Sequence, residues 1–265
     1  MDRRWDRNHS SVRGQAVAAT NSVVSAVRVI EAVGQRQPIG LSDLARAVGL
    51  PKSTVQRTLL TLAEVGWCTT DDVSRWRLTY RAFAVGNQAR DAGGLRDRAL
   101  PVLHELQLVT GETIHLAAPD GRDLVLIERL DTAHRLRAFL PLGHRIPLHA
   151  SATGQAYLAA CPDAEIDAYL QGPLPPSTRF TVTDPDTLRD RLAGVRERGW
   201  SVNPEGLSDG IAAVGAAIVG TDGRPVGSLS VSGPTVRMTA DVFDDHGRAA
   251  VDAARRISRE LGAPG

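Results

Sequence analysis

Five polar side chains crowd residues 52–57: Lys52, Ser53, Thr54, Gln56 and Arg57. Their chemistry suits a nucleic acid. Arginine can donate two parallel hydrogen bonds to guanine O6 and N7, and glutamine can pair with the N6 and N7 edge of adenine. Serine and threonine hydroxyls, the lysine ammonium and free amides at a helix start suit phosphate oxygens. The apolar residues Val55, Leu59 and Leu62 run through the same stretch at steps of three and four. On a helix these three gather on one side and Ser53 and Arg57 point the other way, with Thr54, Gln56 and Thr61 beside them. Leu60 falls toward the polar side. The spacing predicts a helix that packs on one face and can touch base edges with the other.

Such a helix needs a scaffold, and the flanking sequence supplies one. From Thr20 onward Val23, Val24, Val27, Ile30 and Val33 recur with helical spacing, with a cap in Thr20, Asn21 or Ser22 and an expected end at Gly34. A short second helix is expected after Ser42, with Leu44, Ala45 and Val48 inward and Gly49 as its C-terminal stop. Pro51 suits the first turn of the third helix, expected over Pro51–Val65. Two helices joined by Val48-Gly49-Leu50-Pro51 make a helix-turn-helix, whose second helix enters the major groove. Trp67–Thr70 and Arg75–Leu78 flank Asp71-Asp72-Val73-Ser74 and predict a β-hairpin, a wing that places Arg75 and Arg77 along the DNA backbone.

Beyond Leu78 the pattern changes. Residues 81–110 read as helical, broken near Gly93-Gly94, with Pro101 expected to open a new helix. Strands are expected at Thr113–Ala118, Leu124–Glu128, Ile211–Val219 and Val226–Ser232. Helices are expected at Thr153–Ala160, Ala164–Leu170, Pro185–Arg198 and Ala240–Leu261. Strands and helices do not alternate regularly, and Thr221–Arg224 is a hairpin-length link. An antiparallel α+β domain follows, rather than a doubly wound one. The division expected is a disordered tail over residues 1–19, a winged helix-turn-helix over 20–80, a linker helix over 81–98 and a second domain over 99–265.

Composition narrows the function classes. Hydrophobic residues make up 42% of the 265, enough for a packed core, and no apolar run approaches the roughly 18 residues of a membrane span. The charged, polar N-terminus does not read as a signal peptide, so a cytoplasmic protein is expected. Two cysteines, Cys68 and Cys161, exclude a disulfide framework and a cysteine-rich zinc site. The net charge of +1 hides an asymmetry: residues 1–80 carry 11 Lys+Arg against 7 Asp+Glu, so the basic half is the one suited to phosphates.

Catalytic readings are weaker. Gly206-Leu207-Ser208-Asp209-Gly210 matches the G-x-S-x-G nucleophile elbow, which requires a strand before it and a helix after it. A strand-like apolar run follows instead, so a glycine-rich turn is the better reading; a serine hydrolase using Ser208 stays as an alternative. His115, His134, His144 and His149, with Glu128, lack the tight spacing of a metal site and read as loop and pocket-rim histidines. No enzyme, cofactor or metal is expected. The other alternative is a ligand-sensing module without DNA binding.

The segments LSDLARAVGLPKSTVQRTLLTLAEVGW and RWRLTYRAFAVG resemble the helix-turn-helix and wing of the IclR family of bacterial regulators. LPVLHELQLVTGETIHLA, IPLHASATGQAYLAA, LRDRLAGVRERGWSVNPEGLSDGIAAVGAAIV and GSLSVSGPTVR resemble that family's effector domain, in the same order. The likeness runs from about Asn21 to Leu261. It implies a GAF-like C-terminal domain with a curved antiparallel sheet, a small organic acid or related metabolite as effector, and a homodimer or homotetramer on double-stranded palindromic operator DNA. It implies repression or activation of transcription. The implied DNA contacts are Ser42, Lys52, Ser53, Thr54, Gln56, Arg57, Arg75 and Arg77. The implied effector contacts are Ser151, Ala152, Thr153, Gly154, Asn203, Ala213, Ser230 and Ser232. Ser230 and Ser232, two apart on one strand, share a face. Gln155 stands where the family commonly has lysine and Asn203 where it has aspartate, while Thr58 and Leu60 replace more usual apolar and small residues.

Overall fold

The computed structural model describes residues 20–90 and 94–263, and the expected tail over 1–19 lies outside them. The chain divides into two compact units at residue 90. The first holds α1 (Asn21–Arg36), α2 (Leu41–Val48), α3 (Lys52–Glu64), β1 (Cys68–Thr70), β2 (Trp76–Leu78) and α4 (Tyr80–Arg90). The apolar stripes of α1, α2 and α3 meet in one core built on Val29, Val33, Leu44, Val55, Leu59 and Leu62. Burying each such side chain stabilises by about 1.5–3 kcal/mol, which is what holds so small a unit together. Helix α1 does not stop at Gly34. It runs on to Arg36, and Gly34 stays small because the Leu78 side chain lies 3.2 Å from where its Cβ would stand. Gly49 ends α2 in the left-handed conformation, its N–H on the Ala45 carbonyl, and turns the chain sharply into α3.

The wing pairs Cys68 with Leu78, Thr69 with Arg77 and Thr70 with Trp76. Ile39 bridges Trp76 through two backbone hydrogen bonds, and the Gln37 side chain accepts from Leu78 N–H, so the hairpin is fixed to the α1–α2 connection. Of residues 81–98, read as one linker helix, 81–90 fall in α4 and 95–98 in the start of a further helix, α5 (Leu95–Thr110). Pro101 lies inside α5 instead of opening it. Its ring leaves the Asp97 carbonyl without an i−4 donor, which an exposed helix surface tolerates because water can serve that carbonyl.

The second unit continues with β3 (Thr113–Asp120), β4 (Asp123–Leu130), β5 (Arg145–Pro147), α6 (Ala152–Ala160), α7 (Asp163–Leu170), α8 (Pro185–Arg198), β6 (Ser201–Pro204), β7 (Ile211–Val219), β8 (Pro225–Pro234) and α9 (Ala240–Glu260). Its six strands form one curled antiparallel sheet in the order β5-β4-β3-β8-β7-β6. Strands β5 and β6 were not expected, being three and four residues long and each ending in proline, too short for a period-two pattern. Alternation splits the sheet into two chemistries. Ile114, Leu116, Val214, Ile218, Leu229 and Val231 face α5 and α9 in the larger core. The opposite face carries Thr113, His115, Ala213, Gly215, Ser230 and Ser232 near its middle, and its flank joins a second core with α6, α7 and α8. Among the described residues no helix is long and apolar enough to cross a membrane.

Candidate nucleic-acid interface and ligand site

Helix α3 divides as its spacing requires. Val55 and Leu59 are fully buried, whereas Lys52, Ser53, Gln56 and Arg57 are exposed and Thr54 is half-buried. Pro51 precedes the helix without a side-chain cap, and its carbonyl takes the Thr54 and Val55 amides. The N–H groups of Lys52 and Ser53 precede the first helical hydrogen bond and stay available to an anion. Thr58 and Thr61 turn their hydroxyls back onto the Thr54 and Arg57 carbonyls, so neither presents a free donor proton outward. Among the described residues no side-chain hydrogen bond or ion pair engages Arg57 or Gln56. Leu60 is 57% exposed, an apolar spot on the same surface.

Elsewhere in the first unit the predicted contacts fare differently. Ser42 is exposed within the first turn of α2, not before it. Arg77 is exposed mid-strand opposite Thr69. Arg75 sits in the turn, not in the strand, and its Nε donates to Asp71 Oδ2 at 2.9 Å. Asp71 Oδ1 accepts from the Arg75 and Val73 amides, and the Arg75 backbone bond above all holds that carboxyl below the usual range. Arg75 thus shapes the wing tip through Asp71.

In the second unit the first turn of α6 lies on the polar sheet face. Ser151 caps it, accepting from Gly154 N–H at 2.9 Å. Gly154 and Gly215 are where backbone meets backbone: a Cβ on Gly215 would stand 2.8 Å from the Ala152 carbonyl carbon, and one on Gly154 within 2.5 Å of the Leu148 carbonyl oxygen. Ser201 donates to the Ala152 carbonyl (2.6 Å) and Ser228 to that of Thr153 (2.9 Å), holding the turn down. Ala213 lies between Asn203 and Ser232 in the strand register. Asn203 is spent on the fold: its Nδ2 donates to the Ala150 carbonyl and its Oδ1 accepts from Gly206 N–H. Gln155 likewise donates to the His149 carbonyl.

The predicted hydroxyls form a buried chain. Thr153 donates to Ser230 Oγ at 3.0 Å, Ser230 and Ser232 Oγ are 3.3 Å apart, and Ser232 Oγ is 3.3 Å from His115 Nδ1. His115 is the member that sequence reasoning missed. Read as a loop or rim histidine, it lies mid-strand in β3 opposite Ser230 and is 3% exposed. Burial, reinforced by the Arg129 charge, pushes its pKa down to about 4, so the ring is neutral near pH 7. Thr113, paired with Ser232 across the strands, is fully buried. The signal was present as Thr113-x-His115 in period two, and it became meaningful only once the register put those residues beside the serines. A groove of about 400 Å³ lies elsewhere, lined by Gln155, Asp190, Arg191, Arg198 and others. It contains no member of the hydroxyl chain.

The serine-elbow geometry is absent. Ser208 lies in a turn between β6 and β7, with a strand on both sides where the elbow needs a helix after it. Among the described residues no group of three His, Cys, Asp or Glu could hold a metal ion.

Comparison with known proteins agrees with this architecture. Residues 22–72 match the IclR helix-turn-helix domain and residues 88–259 the bacterial transcriptional regulator IclR C-terminal domain. The chain is 32% identical over 235 residues to the HTH-type transcriptional regulator BhcR of Paracoccus denitrificans, covering 88% of this chain and 84% of that one. It is 34% identical over 224 residues to the HTH-type transcriptional repressor AllR of Escherichia coli, covering 84% and 83%. Among solved structures it is similar to an IclR homolog from Microbacterium hydrocarbonoxydans complexed with 4-hydroxybenzoate (TM-score 0.80, 26% identity, 92% and 100% coverage) and to the Thermotoga maritima IclR (TM-score 0.76, 28% identity, 91% and 99% coverage). With a reading helix and wing in one unit, a curled antiparallel sheet in the other, and both domains matched in order, the chain belongs to the IclR family of DNA-binding transcriptional regulators.

Proposed function

We propose that this regulator reads a roughly palindromic operator as a homodimer or homotetramer, and that a small organic acid held on the polar face of its C-terminal sheet sets its grip on that DNA. Helix α3 enters the major groove. Arg57 and Gln56 address base edges, while Ser42, Lys52, Ser53, Thr54, Arg77 and the Nη groups of Arg75 hold phosphates. The observation that carries this reading is the division of α3: its apolar stripe is buried in its own unit, and its best base-reading side chains stand exposed with no side-chain partner among the described residues.

The effector reading rests on the hydroxyls gathered under the first turn of α6, near Ser151, Ala152, Thr153, Gly154, Ala213, Ser230 and Ser232, with Asn203 holding the adjoining turn in place. The 4-hydroxybenzoate bound by the Microbacterium homolog makes an aromatic acid the first probe. A ligand can shift DNA affinity only by its differential affinity for the two states of the protein, commonly 1–3 kcal/mol. The test is selection of bound sequences from random duplexes, followed by affinity measurements on the selected site with and without a panel of small acids. A recurring inverted repeat whose affinity responds to at least one acid supports the proposal. Binding without sequence preference, or a selected site indifferent to every acid, defeats it.

A further inference from the structure

We propose that Thr113 and His115 are the ligand-facing donors of the effector site, that they recognise a carboxylate oxygen, and that Thr153, Ser230 and Ser232 act behind them as a proton-ordering relay. This rests on reading the C-terminal unit as the effector domain, and it assigns the recognition to residues that the likeness to the family does not mark.

The argument is an accounting of hydrogen-bond capacity. Buried polar groups are normally satisfied, and each exception asks for a reason. Here two fall side by side on one sheet face: Thr113 Oγ1 and His115 Nε2 have no partner among the described residues, on residues 0% and 3% exposed. Thr113 stands opposite Ser232, and His115 opposite Ser230. The hydroxyls that the likeness points to are, by contrast, already bonded to one another.

Proton order follows from valence. A hydroxyl has one proton to give. Thr153 gives its proton to Ser230, and the order that satisfies every hydroxyl has Ser230 giving its own to Ser232 and Ser232 giving its own to His115 Nδ1. A protonated Nδ1 would leave either the Ser230 or the Ser232 proton with no acceptor among the described residues. The forward order makes Nδ1 the acceptor and leaves the ring proton on Nε2, the atom without a partner. Burial and the Arg129 charge keep the ring neutral near pH 7, so only one of its two nitrogens carries a proton. Two free donors, Nε2–H and the Thr113 hydroxyl, then lie on one face. Arg129, which pairs with His115 across the strands, is held by Asp131, the Leu140 carbonyl and the Phe139 ring, while its buried Nε makes no hydrogen bond among the described residues and leaves a cationic donor beside the two. Two neutral donors match the lone pairs of a carboxylate oxygen, and hydrogen bonds to a charged acceptor are the strong kind. An alcohol, with fewer and weaker acceptor sites, gains much less.

The test uses the full-length protein. Calorimetry compares benzoate, 4-hydroxybenzoate and butyrate with benzyl alcohol and butanol on the wild type and on His115→Leu, Thr113→Val and His115→Gln. Gln places an amide N–H near the position of Nε2. At least one acid is expected to bind in preference to the alcohols. His115→Leu and Thr113→Val should each weaken it about 10-fold or more, with His115→Gln recovering most of the loss. Nitrogen-15 NMR of the histidine rings at pH 7, assigned through His115→Gln, should show the His115 proton on Nε2. That reading needs no ligand. A proton on Nδ1 overturns the proposal. So does an acid that binds equally well to all variants, which would mean that water fills the two donors while the effector reading stands. Preference for the alcohols also overturns it and leaves that reading intact. A wild type that binds no panel member overturns the carboxylate class, and if its operator affinity also ignores every acid, the effector reading falls with it.

Discussion

Arg57→Ala separates base reading from mere charge. Arg57 is exposed, and no side-chain partner within the described residues holds it. Its backbone carbonyl accepts from Thr61, a bond that survives the substitution. The change in stability should therefore stay within about 0.5 kcal/mol. On DNA the loss should be larger. A bidentate contact to guanine is worth about 1–3 kcal/mol, so affinity for a selected operator should fall roughly 5- to 150-fold while a scrambled duplex changes far less. Arg57→Lys keeps the charge and loses the planar fork, so it should lose most of the same discrimination. Fluorescence anisotropy on both duplexes across a salt series gives the answer in one experiment. If Arg57 touches only phosphate, affinity falls equally on both duplexes and the log–log salt slope shrinks by about 0.9, with Lys restoring it. That pattern, or a melting temperature that drops several degrees, would refute the assignment.

Other consequences are equally direct. Leu59→Ala empties a fully buried position in the first unit and should cost about 2–5 kcal/mol, abolishing DNA binding in a thermal and anisotropy assay while acid binding persists. Gly154→Ala drives a methyl into the Leu148 backbone, and Gly215→Ala drives one against Ala152; each should cost about 1–3 kcal/mol or more in denaturant unfolding of the second unit. Ser151→Ala removes the α6 cap and should cost about 1 kcal/mol in the same measurement. The low pKa of His115 makes stability pH-dependent with a definite sign. The unfolded ring takes a proton below about 6.5 and the folded one only near 4, so stability present above pH 6.5 is lost as pH falls toward 4, by about 3 kcal/mol. Urea titrations over that range should show the loss in the wild type and a shallower one in His115→Gln, with the lowered His144 and His149 supplying the remainder.

The reading helix was legible because one helix carries both signals. The spacing of Val55, Leu59 and Leu62 fixes the buried side, and the rest of the helix then has to be outside. The strands of the second unit were legible where they are long, as in Ile211–Val219, found with the same ends. Short edge pieces such as Arg145–Pro147 escaped because their strand identity comes from pairing with β4, a nonlocal fact. Gly34 misled for a related reason: its smallness answers Leu78 across the fold and not the end of its own helix. Pro101 likewise suggested a helix start that α5 overrode, the cost of one missing bond being small beside the burial of Val102, Leu103 and Leu106. The ligand site shows the same divide. Ser230 and Ser232 announced a shared face, but the placement of His115 and Thr113 beside them depends on how β3 pairs with β8, more than a hundred residues away. The engagement of Asn203 by Ala150 and Gly206 was equally hidden from a linear reading.

The claim that the outer face of α3 reads the major groove is tested most directly by chemistry on the DNA. Replacing guanines and adenines of the selected operator one at a time with their 7-deaza forms removes the N7 acceptor and leaves pairing and the minor groove unchanged. The account predicts at least one position in each half-site where this weakens the wild type about 5-fold or more, while Arg57→Ala or Gln56→Ala shows no further loss there. Wild-type affinity indifferent to 7-deaza substitution at every position, or losses that add in full to those of both variants, would contradict it.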